Sequence, residues 1–183
     1  MGKGIVEELK KEFPLTDEWF AYELRPEMPS EGIPTSKLFP GVDLKKRYES
    51  LSRAGAPYGI AFNEISMVSK SRLALEATEF AKEEGHFDSF HGRVFHAYFV
   101  ETQDIGNLDV ILELADQDGL DPDALRLALQ EKRYAIHLEE AKQEGLSYGV
   151  TAVPTFILNG EHKLVGAQPI EVFREKLRII QAE

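Results

Sequence analysis

The chain has 183 residues, of which 43% are hydrophobic and 29% charged, a length that suits one domain or one domain carrying a large insertion. Its 21 basic and 32 acidic residues give a formal net charge of −11. That charge repels phosphate backbones and anionic lipid surfaces, so we expect neither nucleic acid nor a membrane among its partners. Cysteine is absent, which excludes disulfides, thiolate metal sites and thiol catalysis by these residues.

No segment of the sequence predicts export or membrane insertion. No run approaches the roughly 20 apolar residues that span a bilayer. The first residues, Met1–Glu8, lack the apolar core of a signal peptide. We therefore expect a cytoplasmic location.

The first part of the chain predicts a helix, a strand and a long irregular connection. The helix ends before Pro14 and has its apolar side chains on one face, at Ile5, Val6, Leu9 and Phe13. Residues Thr16–Leu24 predict a buried strand because the large side chains Phe20, Tyr22 and Leu24 occupy every second position, the period of a strand. Four prolines and two glycines between Arg25 and Gly41 predict the connection.

The middle of the chain predicts only helices. They are expected over Asp43–Ala54, from Ser69 or Ser71 to Gly85, over Phe87–Val100, from Asn107 to Gly119, and from Asp121 to Gly145. The last has the strongest start, since a capping aspartate is followed by a proline that suits the first helical turn.

The end of the chain predicts a β-hairpin and a closing helix. Asn159-Gly160 separates Thr155–Leu158 from Glu161–Val165, and this pair of residues suits the two positive φ angles of a type I′ turn. Gln168-Pro169 then precedes a helix whose apolar residues share one face: Ile170, Phe173, Leu177 and Ile180.

Four motifs together resemble the DsbA superfamily of thioredoxin-like proteins. Residues Gly149–Phe156 (GVTAVPTF) resemble its cis-proline loop. Tyr22–Pro29 (YELRPEMP), Tyr98–Gly106 and Gly166–Pro169 (GAQP) look like the FrnE-type branch of thiol–disulfide oxidoreductases. The resemblance covers essentially the whole chain.

This resemblance implies an α/β fold of thioredoxin-like type, with a large all-helical insertion and the first strand missing. Residues 1–30 and 148–183 would form the thioredoxin-like domain with an incomplete sheet. Residues 31–147 would form the irregular connection and the helical insertion domain.

The sequence departs from the family pattern at its start. Family members place a Cys-x-x-Cys motif at the beginning of the first helix, where the helix dipole stabilises a thiolate, and Gly-Lys follows it. Gly2-Lys3 matches that Gly-Lys, so the resemblance places the first strand and both cysteines before Met1. We hypothesise that Met1 is an internal methionine taken as the start, with about 10–15 residues before it. A natural truncation is the alternative.

The missing strand has a structural consequence. In the family it lies between the strand predicted at Trp19–Leu24 and the hairpin, so its loss leaves two rows of unpaired backbone groups. Three outcomes are expected: the neighbouring strands pair directly, water fills the gap, or a second chain supplies a segment. The third would make the protein a homodimer.

The resemblance also implies the binding site. On general grounds a trans Val153–Pro154 bond is expected, since only about 5–6% of such bonds are cis, but the family has a cis bond there. Val153, Pro154 and Thr155 would bind an extended substrate as a strand edge. The implied function is a thiol–disulfide oxidoreductase scaffold for a polypeptide or a small thiol or disulfide. It is inactive as given, and no catalytic residue is assigned.

Two other functions stay open. Kappa-class glutathione transferases and chromene-carboxylate isomerases share this architecture, with a serine at the helix start that binds the thiol of glutathione. The resemblance places that position before Met1 as well. The other alternative is a non-catalytic module that binds peptides or small molecules in the same groove.

The histidines and paired carboxylates predict no further site. His86, His91 and His96 are five residues apart, which is about 140° of rotation on a helix, so they cannot share a face. His137 and His162 have no nearby histidine partner in the sequence. We therefore expect no metal and no cofactor. Adjacent glutamates such as Glu83-Glu84 and Glu139-Glu140 are interpreted as solvated helix faces.

Overall fold

The computed structural model describes residues 1–182, which fold into nine α-helices, one 3-10 turn and four short strands. The helices are α1 (Gly2–Lys10), α2 (Thr35–Leu38), α3 (Leu44–Gly55), α4 (Arg72–Glu83), α5 (Phe87–Phe99), α6 (Leu108–Gln117), α7 (Pro122–Gln130), α8 (Ala135–Ser147) and α9 (Ile170–Ala182). The strands are β1 (Ile33–Pro34), β2 (Met67–Val68), β3 (Thr155–Leu158) and β4 (His162–Val165). Within this described part, no helix combines the length and the apolar character that crossing a membrane needs.

Two hydrophobic cores hold these elements together. The smaller one joins α1 and α9, through Ile5, Leu9, Phe173 and Leu177, to the inner face of the β3–β4 hairpin. The larger one is formed by α4, α5, α6 and α7 and includes Tyr134, which is only 1% exposed. The apolar faces predicted for α1 and α9 point into the smaller core, so the helical periodicity is confirmed for these two helices. Residue Glu183, the last of the predicted thioredoxin-like domain, lies outside the described residues.

The caps predicted at Asn107 and Asp121 and the hairpin turn are confirmed, whereas Ser71 precedes α4 without a capping hydrogen bond from its side chain. The Asn107 side chain accepts a hydrogen bond from Asp109 N at 2.9 Å, and Asp121 accepts bonds from Asp123 N and Ala124 N. The antiparallel pairing of β3 with β4 runs from Thr155↔Val165 to Leu158↔His162. The turn residues have the positive φ angles that the sequence predicts, 49° at Asn159 and 75° at Gly160.

The strand predicted at Thr16–Leu24 is wrong. Residues 14–23 are irregular, and among the described residues β3 pairs with β4 and β1 pairs with β2, with no strand at 16–24 in either sheet. Direct pairing across the missing strand, the first expected outcome, is therefore also wrong. A strand forms only where a neighbour supplies hydrogen bonds, and alternating side chains alone do not provide them.

Two differences affect the middle of the chain. The single helix predicted from Asp121 to Gly145 is wrong, because a turn with φ 54° at Lys132 divides it into α7 and α8. This turn brings Tyr134 into the larger core. A short antiparallel pair, Ile33↔Val68 and Pro34↔Met67, also forms where helices and an irregular connection were expected.

Candidate functional site

The start of α1 lies against the loop that precedes β3. Gly2 is buried, and a Cβ atom built on it would lie 3.2 Å from Pro154 Cβ and 3.3 Å from Phe156 Cζ. The Val153–Pro154 peptide bond in this loop is cis. The absence of a side chain at Gly2 is what lets the helix approach the proline this closely, and the two segments together form the candidate site.

The three residues predicted to bind substrate lie together on this loop. The side chain of Val153 is 50% exposed, whereas Pro154 and Thr155 are half-buried. Thr155 Oγ1 donates a hydrogen bond to the Ala152 carbonyl at 2.7 Å. Gly166 N, in the turn after β4, donates to the Pro154 carbonyl at 2.7 Å. These bonds fix the loop from its inner side and leave Val153 facing solvent.

An ion pair ties the helical part of the chain to the start of α1. Lys3 Nζ lies 2.8 Å from Asp88 Oδ1 and also donates to the Asp88 carbonyl at 3.2 Å. The hydrogen bond and charge of Lys3 lower the pKa of the Asp88 carboxyl. Burial lowers the pKa of the Met1 amino group. The first turn of α5 therefore lies beside the start of α1.

His91, one turn further along α5, is held as a neutral imidazole. Burial, followed by the positive charge of Lys3, lowers its pKa to about 4. Its Nδ1 atom is buried and has no hydrogen-bond partner. Its ring stacks on the ring of Phe87, with 5.1 Å between the ring centroids. The centroid distances to the rings of Phe95 and Trp19 are 4.5 and 5.7 Å.

Sequence reasoning missed this cluster, although a signal for it was present. Phe87, His91 and Phe95 are four residues apart, so they form one stripe along α5. Testing the histidines only against one another, at a spacing of five, concealed the stripe. The structure instead gives them different partners: His86 lies 3.4 Å from Asp118 and His96 lies 3.2 Å from Glu101.

The site has the means to bind a chain but lacks a nucleophilic sulfur. It combines an exposed apolar side chain, a loop held by backbone hydrogen bonds and a neutral aromatic cluster. Across residues 1–182, no three histidine, aspartate or glutamate side chains are grouped as a metal site would need. The sequence contains no cysteine, so any thiol–disulfide exchange here needs sulfur from another source.

A helix start that abuts a cis-prolyl loop, followed by an antiparallel hairpin and a closing helix, defines the thioredoxin-like class of proteins. The family model of the DSBA-like thioredoxin domain matches residues 6–178. The chain therefore belongs to this family and has the scaffold of its thiol–disulfide oxidoreductases.

Two known proteins are similar to this chain over nearly its whole length. The chain is 32% identical to the uncharacterized protein YwbO of Bacillus subtilis (strain 168) over 187 residues, which cover 97% of this chain and 88% of YwbO. Its fold is similar to the crystal structure of the "probable DsbA oxidoreductase SCO1869" from Streptomyces coelicolor, with a TM-score of 0.86 and 23% identity. That match covers 100% of this chain and 84% of the other.

Proposed function

We propose that this chain is a DsbA-like scaffold that binds an extended polypeptide segment along Val153, Pro154 and Thr155. The observation that supports it best is the contact of Gly2 with Pro154, which sets the binding loop directly beside the start of α1. A strand edge beside an exposed Val153 side chain offers backbone hydrogen bonds and one apolar contact to an extended chain. With no cysteine in the sequence, the pure chain should not turn over in an insulin-reduction assay.

The finer assignment in this proposal is to the FrnE-type branch. The YELRPEMP motif that suggests it is held in a defined shape, since Lys70 Nζ donates to the Pro26 and Met28 carbonyls at 3.4 and 2.9 Å. Met28 itself is only 5% exposed. Lys70→Met should loosen this segment, which limited proteolysis between Arg25 and Ser30 would detect.

The remaining parts of the proposal concern organisation and location. Residues 1–30 and 148–183 would carry the binding loop, and residues 31–147 would form the unit that lies over it, as the Lys3–Asp88 pair suggests. The substrate is a polypeptide or a small thiol or disulfide, the location is the cytoplasm, and the assembly is a homodimer. Light scattering at micromolar concentration tests the last point, and a monomer would refute it.

The binding proposal is tested by calorimetric titration of an unstructured, uncharged peptide rich in valine and alanine. Val153→Asp puts a charge into the site and should raise the dissociation constant about tenfold, the cost of one lost apolar contact and a desolvated charge. Val42→Asp is the matched control, because Val42 is 43% exposed and lies between α2 and α3, outside the binding loop. Equal binding by both variants would refute the proposal. Glutathione in place of the peptide tests the isomerase or transferase alternative.

A further inference from the structure

A cleft of about 420 Å³ shares no lining residue with the binding loop. Its walls come from residues 19–21 of the irregular segment, from α4 and from α8. Trp19 and Phe20 line one side, and four glutamates line the other: Glu79, Glu83, Glu140 and Glu144. We call this site the acidic cleft.

The glutamates of the acidic cleft form two like-charge pairs. Glu79 and Glu83 are four residues apart on α4, and Glu140 and Glu144 are four residues apart on α8, a spacing that places both members of each pair on one helix face. Like charges at this spacing repel each other. The two helices also pack together, so negative charge accumulates in one place. Such an arrangement is stabilised by a positive charge placed between the helices.

The chain itself neutralises only part of this charge. Glu83 accepts a hydrogen bond from Tyr134 Oη at 2.5 Å, and Glu79 Oε2 lies 3.7 Å from His137 Nδ1. Apart from His137, the basic side chain that lines the cleft is Lys82, whose Nζ donates a hydrogen bond to the Trp19 carbonyl. On α8, Lys142 pairs with Glu139, which lies outside the cleft. Glu140 and Glu144, both exposed, are therefore left facing the cleft.

The aromatic wall favours one kind of cation over another. Phe20 is 51% exposed although it is apolar, and Trp19 lies next to it in the same wall. The face of an aromatic ring attracts organic cations such as ammonium and guanidinium groups. A metal ion would need at least three carboxylate or histidine side chains close enough to bind it together, and the described residues contain no such set.

We propose that the acidic cleft binds an organic cation, a primary ammonium or a guanidinium group on a flexible chain. The carboxylates of Glu140 and Glu144 pair with the charge, and the rings of Trp19 and Phe20 cover the carbon chain that carries it. This site is separate from the loop at Val153–Thr155, so the inference goes beyond the proposed function. The cation has two possible sources, a free polyamine or a lysine or arginine side chain of a polypeptide.

The tryptophan of the cleft makes the test direct. Trp19 is the single tryptophan of the chain, so its fluorescence responds to binding in the cleft. Because Trp19 also contacts His91, calorimetry gives an independent measure of binding. Spermidine is titrated in one arm and an acetylated, amidated Ala-Lys-Ala-Lys-Ala peptide in the other, both at fixed ionic strength. Saturable binding of either probe is expected, and the arm that binds more tightly identifies the source.

Paired variants separate the cleft from general charge attraction. Glu140→Gln combined with Glu144→Gln should raise the dissociation constant of the bound probe about tenfold, since each exposed ion pair contributes a few-fold. Glu139 on α8 and Glu175 on α9 are exposed and do not line the cleft. Glu139→Gln combined with Glu175→Gln therefore removes the same charge outside the cleft and should leave binding unchanged. Phe20→Ala should weaken binding about threefold through the lost ring contact.

Two results would overturn the inference. One is the absence of any fluorescence or heat change with both probes up to millimolar concentration, while circular dichroism shows a folded protein. The other is an equal loss of affinity in the two double variants, which would mean that the net charge of −11 attracts the cation without a site. Neither result bears on peptide binding at Val153.

Discussion

The ring of Tyr22 lies directly on the backbone of Gly145. A Cβ atom built on Gly145 would overlap Cε2 of that ring and come within 2.9 Å of Cδ2. The Tyr22 hydroxyl donates a hydrogen bond to the Val150 carbonyl at 3.3 Å. One tyrosine therefore connects the irregular segment at 14–23 to the end of α8 and to the approach of the binding loop.

Replacing Gly145 by alanine should destabilise the protein by about 1–3 kcal/mol, the usual cost of forcing an extra methyl group into a packed contact. The ring cannot move aside without losing its bond to Val150. The measurement is the free energy of unfolding in urea, with circular dichroism as the readout.

Gly92→Ala is the matched control for this prediction. Gly92 lies in the interior of α5, and a Cβ atom there meets nothing within 4 Å. Alanine should therefore stabilise the protein by about 1 kcal/mol through helix propensity alone. If both glycine variants gained stability equally, the close packing of Tyr22 on α8 would be disproved.

The parts of the fold that could be predicted from sequence are those fixed by neighbouring residues. A cap such as Asp121 acts on N–H groups two and three positions away, and Asn159-Gly160 sets its own turn. The residues that determine a helix cap or a two-residue turn lie within a few positions of one another, so the sequence pattern is enough to predict them. The buried faces of α1 and α9 follow equally from periodicity.

The errors occurred where a distant partner decides the structure. Phe20, Tyr22 and Leu24 occupy every second position, as in a strand. In the structure, however, Tyr22 packs against Gly145 of α8 and Phe20 lines a cleft. Whether the segment becomes a strand depends on a neighbour that the local pattern does not contain. The candidate binding loop was found only through the family resemblance, whereas the carboxylates of the acidic cleft come together only in the folded chain.

A buried charge network below the irregular segment gives a second prediction. Arg72 Nη1 lies 3.0 Å from Glu23 Oε2 and Arg72 Nε lies 2.8 Å from Glu76 Oε1, and both carboxylates are buried. Arg72→Met would leave two buried negative charges without a cation. We expect a loss of about 2–4 kcal/mol in the free energy of unfolding, reduced from the fully buried case because the guanidinium is partly exposed.

The control for this network is Arg126→Met, since Arg126 is exposed on α7. It should change stability by no more than about 0.5 kcal/mol. Adding Glu23→Gln and Glu76→Gln to Arg72→Met should recover part of the loss, because the uncompensated charges are then gone. A triple variant as unstable as Arg72→Met alone would show that packing, not charge, is responsible.

The hydroxyl of Tyr134 supplies a third prediction. Burial, followed by the hydrogen bond to Glu83, raises its pKa to about 12, so this tyrosine should stay protonated near pH 10, where a tyrosine with an unshifted pKa ionises. Tyr134→Phe should cost no more than about 1 kcal/mol in the free energy of unfolding, because Glu83 is exposed and water can replace the lost donor. In an ultraviolet titration, this variant should lose only the part of the signal that appears near pH 12. Loss of signal near pH 10 would contradict the assignment.

The neutral His91 makes folding stability depend on pH in a defined direction. Its pKa in the folded chain is about 4, below the value of about 6.5 expected in the unfolded chain. The unfolded chain therefore binds a proton between pH 6.5 and 4 that the folded chain does not. This contribution to stability is complete above pH 6.5 and is lost as the pH falls, by up to about 3 kcal/mol.

His91→Phe should remove that pH dependence, because phenylalanine keeps the ring contacts with Phe87 and Phe95 but does not titrate. The free energy of unfolding in urea is measured for both proteins at pH 7.5 and at pH 4.5. The change between the two pH values is then compared between the proteins, so that the contributions of carboxylates present in both cancel. The groups that act on His91 are Lys3, the Met1 amino group and Asp88, and all are unchanged in the variant.

His96→Gln serves as the control in this comparison, since the His96 side chain is 59% exposed and lies beside Glu101 on the far end of α5. It should keep the pH dependence of the unaltered chain. An equal change in the free energy of unfolding between pH 7.5 and pH 4.5 for the unaltered chain and His91→Phe would show that His91 titrates at its ordinary pKa. The imidazole would then be hydrated, and the cluster of Trp19, Phe87 and Phe95 would be open to solvent beside the start of α1.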